Sequence, residues 1–161
     1  MSKLIGLVGT FSIFAISMAP AHACDFEHAR YSYTGTSAMQ ADFVRLPSST
    51  HLMSRLAMRI LVNEKPVYNF VFDSGSRRTV MALPVIGDGP DAWNPEIAPK
   101  GLQAMDFHQW TGDVLSDRVP DVGRHAEETL FIPALDESMR HLPNAPIAPS
   151  TGFFKLKSCK G

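Results

Sequence analysis

Residues 51–85 read HLMSRLAMRILVNEKPVYNFVFDSGSRRTVMALPV, and this stretch decides what kind of domain the chain builds. Two β-rich runs, 51–62 and 67–73, flank the short polar segment Asn63-Glu64-Lys65-Pro66, the pattern of a hairpin. Successive strand side chains alternate between faces, so Tyr68, Phe70 and Phe72 share one side and Val67, Asn69, Val71 and Asp73 the other. The aromatic side is the expected core face. A third strand follows in RRTVMALPV and ends at Pro84.

Working outward, residues 24–50 show no sustained period beyond a short strand at Arg30–Tyr33. Residues 86–101, IGDGPDAWNPEIAPKG, are too dense in Gly and Pro for a regular element. Strands are expected at 102–110 and 127–132, a short helix within 133–143 beginning near Pro133, a proline loop at 144–152, and a last strand at 153–159. Twelve prolines and eleven glycines favour short strands with long connections over helices. The fold expected is a small, mainly β single domain, sandwich or barrel, with long Pro/Gly loops and at most one short helix.

The first 23 residues have a different character. Lys3 gives a positive start, Leu4–Met18 is uncharged and mostly apolar, and Ala21-His22-Ala23 fits a signal-peptidase site. Export to the periplasm or beyond the cell is expected, with cleavage after Ala23 and the domain spanning 24–161. No later stretch is long and apolar enough for a transmembrane helix. Cys24 and Cys159 are the only cysteines. In an oxidising compartment they are expected to form a disulfide between the ends of the domain. Alternation in GFFKLKSC puts Lys155, Lys157 and Cys159 opposite Phe154 and Leu156, so the bridge is expected on the solvent side. The competing reading is a lipid anchor on Cys24, although His22 stands where a lipoprotein signal carries a small residue.

The net charge is −1 with acids and bases interspersed, which argues against a nucleic-acid partner. Zinc-ligand spacing, a Gly-x-Ser-x-Gly elbow, a phosphate-binding glycine loop and Cys-x-x-Cys are all missing from the sequence. No cofactor and no metal is therefore expected. Trp93 in the proline loop and Trp110 at a strand end are the candidate contact residues, since Trp is enriched at recognition surfaces. These features lead to an exported, non-catalytic binding or envelope accessory protein, inhibitor- or immunity-like, monomeric, with an unknown partner.

One motif carries a different chemistry. Asp73, Ser74, Gly75 and Ser76, then Thr79 and Val80, preceded by Val62-Asn63 and Pro66-Val67, resemble the active-site loop of retroviral-type aspartic proteases. The resemblance implies a homodimer in which each subunit contributes Asp73, the two carboxylates sharing one proton. It also implies that Gly75 permits the tight turn and that Ser74 hydrogen-bonds within it. The family's downstream apolar-apolar-Gly segment corresponds best to VPDVG, 119–123, where Asp121 interrupts the apolar pair. Read from the residues alone, Asp73 opens an ordinary turn and its carboxylate accepts backbone N–H bonds.

Overall fold

A computed structural model describes residues 24–47, 52–74, 80–85, 104–140, 147 and 149–160; within 80–85 it describes the side chains of Val80 and Ala82. The leader 1–23, Gly75 and Trp93 lie outside the described residues.

The hairpin expected in 51–73 is present. β3 (Leu56–Val62) and β4 (Lys65–Ser74) pair antiparallel from Ala57↔Val71 to Val62↔Lys65. Asn63 and Glu64 turn the chain with φ of 50° and 65°, so both adopt the left-handed conformation of a two-residue type I′ turn. Pro66 sits where the register shifts, between Ile60 and Leu61, the kind of irregularity at which a strand tolerates a residue without an N–H. β3 begins at Leu56 because Ser54 bends the entry: its hydroxyl donates to Pro120 O at 2.6 Å and accepts the Leu56 N–H at 2.9 Å.

Among the described residues the other strands are β1 (Ala29–Tyr33), β2 (Met39–Arg45), β5 (Val80–Val85), β6 (Met105–Thr111), β7 (Val114–Ser116), β8 (Thr129–Phe131) and β9 (Phe154–Cys159). A short helix, α1 (Leu135–Arg140), lies between β8 and β9. Every pairing is antiparallel, in the order β5-β4-β3-β2-β1-β9-β8-β6-β7, and β5 also pairs with β6. That last pairing joins the two flanks, so the sheet curls on itself as an up-and-down barrel with β7 as a spur on β6. The mainly β reading holds, and of the two architectures expected the chain adopts the barrel.

Inside the barrel, Phe26 meets Phe43 at 5.0 Å between ring centres, Phe43 meets Phe72 at 6.1 Å and Phe72 meets Phe107 at 4.9 Å. Tyr68, Phe70 and Phe72 are all buried in this core, as their spacing along β4 predicts. A barrel of about eight strands has an interior just wide enough for side chains to fill it. On the outer side Val71, Ala57 and Leu46 form a second small cluster with Val44 and Leu52.

Three features differ from expectation. β2 falls in a segment where no strand was expected; its Met39, Ala41 and Phe43 face the core and are buried, while Gln40 and Asp42 face the other side. β7 was not anticipated either; three residues are too few to show alternation. The third concerns the bridge. Cys24 and Cys159 are joined, with Cα atoms 5.8 Å apart, but not on the solvent side. Tyr31 faces Leu156 while Arg30 faces Ser158, so Lys157 is an extra residue and a β-bulge resets the alternation. Cys159 consequently lies opposite buried Ala29, and Cys24 packs against the main core.

Candidate functional site

Asp73 is the penultimate residue of β4, opposite Met81 of β5, and is half-buried; Ser74 after it is exposed. The Ser74 N–H donates to Asp73 Oδ1 at 2.7 Å, a local side-chain-to-backbone bond. β4 and β5 stay paired as far as Ser74↔Val80. Ala57 at the start of β3 pairs with Val71, so Arg55, which precedes β3, lies at the same end of the barrel as Asp73. Arg55 is held by Asp121: the backbone N–H donates to Oδ1 at 3.0 Å, Nε to Oδ1 at 3.2 Å and Nη2 to Oδ2 at 3.2 Å. Partial burial would push the Asp121 carboxyl up, and the Arg55 hydrogen bonds and charge bring it below the usual value instead. The 119–123 segment therefore docks at the barrel end that carries Asp73.

A second constellation lies on the outer face of β6–β8. In MDFHQWT the alternation turns Met105, Phe107 and Gln109 inward, all buried, and Asp106, His108 and Trp110 outward. Gln109 is accommodated inside because its Nε2 donates to Arg118 O. Register then assembles the outward rings. His108 is opposite Phe131, Trp110 is opposite both Thr129 and Leu115, and Phe153 enters from the start of β9. Phe153 lies 4.9 Å from Phe131 and 5.8 Å from Trp110, and His108 stacks on Phe131 at 6.3 Å. Leu115 of β7, opposite Trp110, extends this band and is 65% exposed. Trp110, one of the two expected contact residues, is thus the half-buried centre of an exposed apolar band. Phe131, Phe153 and Leu115 were missed. Phe153 and Phe131 sit beside residues that face the core, and only the pairing of β6 with β8 brings them to Trp110.

No family model, curated protein or solved structure matches the chain.

The outer face of β1–β3 carries the third cluster, which sequence reading did not single out. The Asp42 side chain is 2% exposed. Arg59 holds it bidentately, Nε to Oδ1 at 2.8 Å and Nη2 to Oδ2 at 2.9 Å, and Lys160 Nζ donates to Oδ2 at 2.9 Å. Burial pushes the carboxyl up, but the hydrogen bonds and charges of Arg59 and Lys160 outweigh it and leave the pKa below the ordinary carboxylate value. Both oxygens are occupied, so Asp42 is a structural tie and not a proton-transfer group.

Among the described residues no three His, Cys, Asp or Glu side chains are grouped to hold a metal ion, and no helix is long and apolar enough to cross a membrane. His125 faces Asp25 at 3.3 Å across the isolated Asp25↔His125 bridge. The Cys24 sulfur is engaged with Cys159, so a thioether lipid anchor on that atom and this bridge are mutually exclusive. A disulfide fits an oxidising compartment.

Proposed function

We propose that the protein is an exported, non-catalytic binding protein whose contact surface is the aromatic band on the outer face of β6–β8. The observation that carries this reading is that Trp110, Phe131 and Phe153 are packed ring against ring while facing outward, with Leu115 exposed beside them. Clustered exposed apolar groups on a small folded domain mark interaction sites, and buried aromatic anchors dominate the energetics of such sites. Rings that brace one another lose little further freedom on binding, which lowers the entropic cost of association. The disulfide supports the exported part of the reading. An inhibitor, an immunity-like protein or an envelope accessory factor would each use such a face, and the protein is monomeric on this reading.

Photo-cross-linking tests it. A benzoylphenylalanine at position 115 is expected to give one discrete adduct in the native envelope, lost when Phe153→Ser is added. The same probe at exposed Lys65, on β4, is expected to give none. Matching adduct patterns from the two positions would remove the band as the contact surface.

A second reading, a homodimeric aspartic peptidase using Asp73 with Ser74 and Gly75, draws support from one observation. The 119–123 segment, which the resemblance assigns to closing a loop around the aspartate, is tied to Ser54 and Arg55 at the Asp73 end of the barrel. Peptide hydrolysis at acid to neutral pH by a dimer, abolished by a folded Asp73→Asn variant, would establish it in place of the first reading.

A further inference from the structure

Resting on the aromatic band as a contact surface, we infer that its partner there is a basic polypeptide segment carrying apolar side chains. The chain as a whole is nearly neutral, yet residues 104–140 hold eight Asp and Glu against three Lys and Arg. The fold distributes these acids unevenly. Asp121 and Asp136 are paired with Arg55 and Arg140. Asp106, Asp113, Glu127 and Glu128 form no ion pair among the described residues, and these four border the band.

Their positions are fixed by the sheet. Asp106 shares the outward face of β6 with His108 and Trp110 and is exposed. Asp113 is exposed in the turn between β6 and β7, where Gly112 adopts a φ of +55°. Glu127 Oε2 accepts the Thr111 hydroxyl at 2.7 Å and Glu128 Oε2 accepts the Gly112 N–H at 3.1 Å, which anchors both carboxylates at the same tip. One cation from β9 reaches this face, Lys155, whose Nζ donates to Thr129 Oγ1 at 2.8 Å. An apolar centre with a rim of uncompensated carboxylates attracts a basic partner, repels an acidic one and orients the encounter. Lys and Arg also suit the centre, since their aliphatic stems lie along apolar surface and their charged ends favour aromatic faces.

The bridge-intact protein would be titrated calorimetrically with three synthetic peptides of one length. The first interleaves Leu and Trp with Lys, the second replaces Lys by Glu, and the third keeps Lys and replaces Leu and Trp by Ser. The Lys/Leu/Trp peptide is expected to bind at least about tenfold more tightly than either other, and to weaken by about tenfold when salt shortens the screening length from about 14 to 4 Å. Asp106→Asn with Asp113→Asn is expected to cost about fivefold and flatten the salt dependence without moving the thermal midpoint. Leu115→Ser is expected to weaken binding by about tenfold. Tight, Leu115-dependent binding of the Glu peptide would overturn the charge inference and leave the band as a contact surface. Absence of binding by all three, or a dimer that Leu115→Ser dissolves, would also overturn it, the latter making a second copy the occupant. Whether the band is a contact surface at all is decided separately by the cross-linking above.

Discussion

The two outer faces of this barrel handle their exposed chemistry in opposite ways. Over β1–β3 the groups that would be costly to bury are closed on one another: Arg59 and Lys160 meet both oxygens of Asp42, and Cys159, next to Lys160, is tied to Cys24 on the core side. Over β6–β8 the apolar groups are left open, and the nearby carboxylates form no ion pair among the described residues. A closed face adds to stability and has little left to offer a partner; an open face adds little to stability and keeps its interactions available. The contrast makes a double dissociation: changes on the first should cost folding and spare binding, and changes on the second the reverse.

The largest effect is expected from the disulfide. It spans 135 residues of sequence and ties the segment before β1 to the end of β9, the strand that pairs with β1. Replacing both cysteines by serine should cost about 4 kcal/mol in chemical denaturation, the order expected when a bridge that constrains so long a loop in the unfolded chain is lost. Peptide binding at the open face, measured well below the midpoint, should be unchanged. A change in affinity would show that the two faces are not independent.

Asp42→Asn comes next, at about 2–3 kcal/mol. Removing one member of a buried, bidentate pair leaves two cations without their counter-charge, and their partial exposure keeps the cost at or below the usual figure for buried pairs. Its pH dependence has a definite sign. The folded-state pKa of Asp42 is lowered, so its contribution is present above the unfolded value and is lost as pH falls through the folded one. The stability gap between the parent and Asp42→Asn should be full at neutral pH and shrink below the ordinary carboxylate range. A gap that stays constant into strong acid would mean that Arg59 and Lys160 do not stabilise the ionised form.

How much of each face could be read in the sequence follows from its range of interactions. The β3–β4 hairpin and its aromatic core side were legible because alternation over seven residues is a local signal. The barrel's closure was not, since it depends on β5 meeting β6 across a long connection. The burial of Asp42 in β2 could not be read either, because it depends on Arg59 and Lys160, 17 and 118 residues away, which satisfy its carboxylate. One bulged residue, Lys157, moved Cys159 to the core side, and nothing within KLKSC announces it. Trp110 was legible by residue type alone; the band around it comes from four separate segments and only the fold collects them.

On the open face Trp110→Ala should cost about 1 kcal/mol of stability, since the ring is half-buried and its loss exposes part of Phe153. Its effect on peptide affinity should exceed tenfold, as for a central anchor. Leu115→Ser is expected to have the smallest effect on folding, within about 0.5 kcal/mol of zero, because a side chain already 65% exposed loses little burial when truncated. It is also the change that most directly tests the contrast between the faces. Leu115 lies opposite Trp110 across β6 and β7, so a partner that covers the ring must also cover Leu115. Binding should fall by about tenfold with no change in the thermal midpoint. A lowered midpoint with binding intact would instead make Leu115 part of a lid that holds Trp110 in place, and the band would then be structure left at the surface rather than a surface kept for a partner.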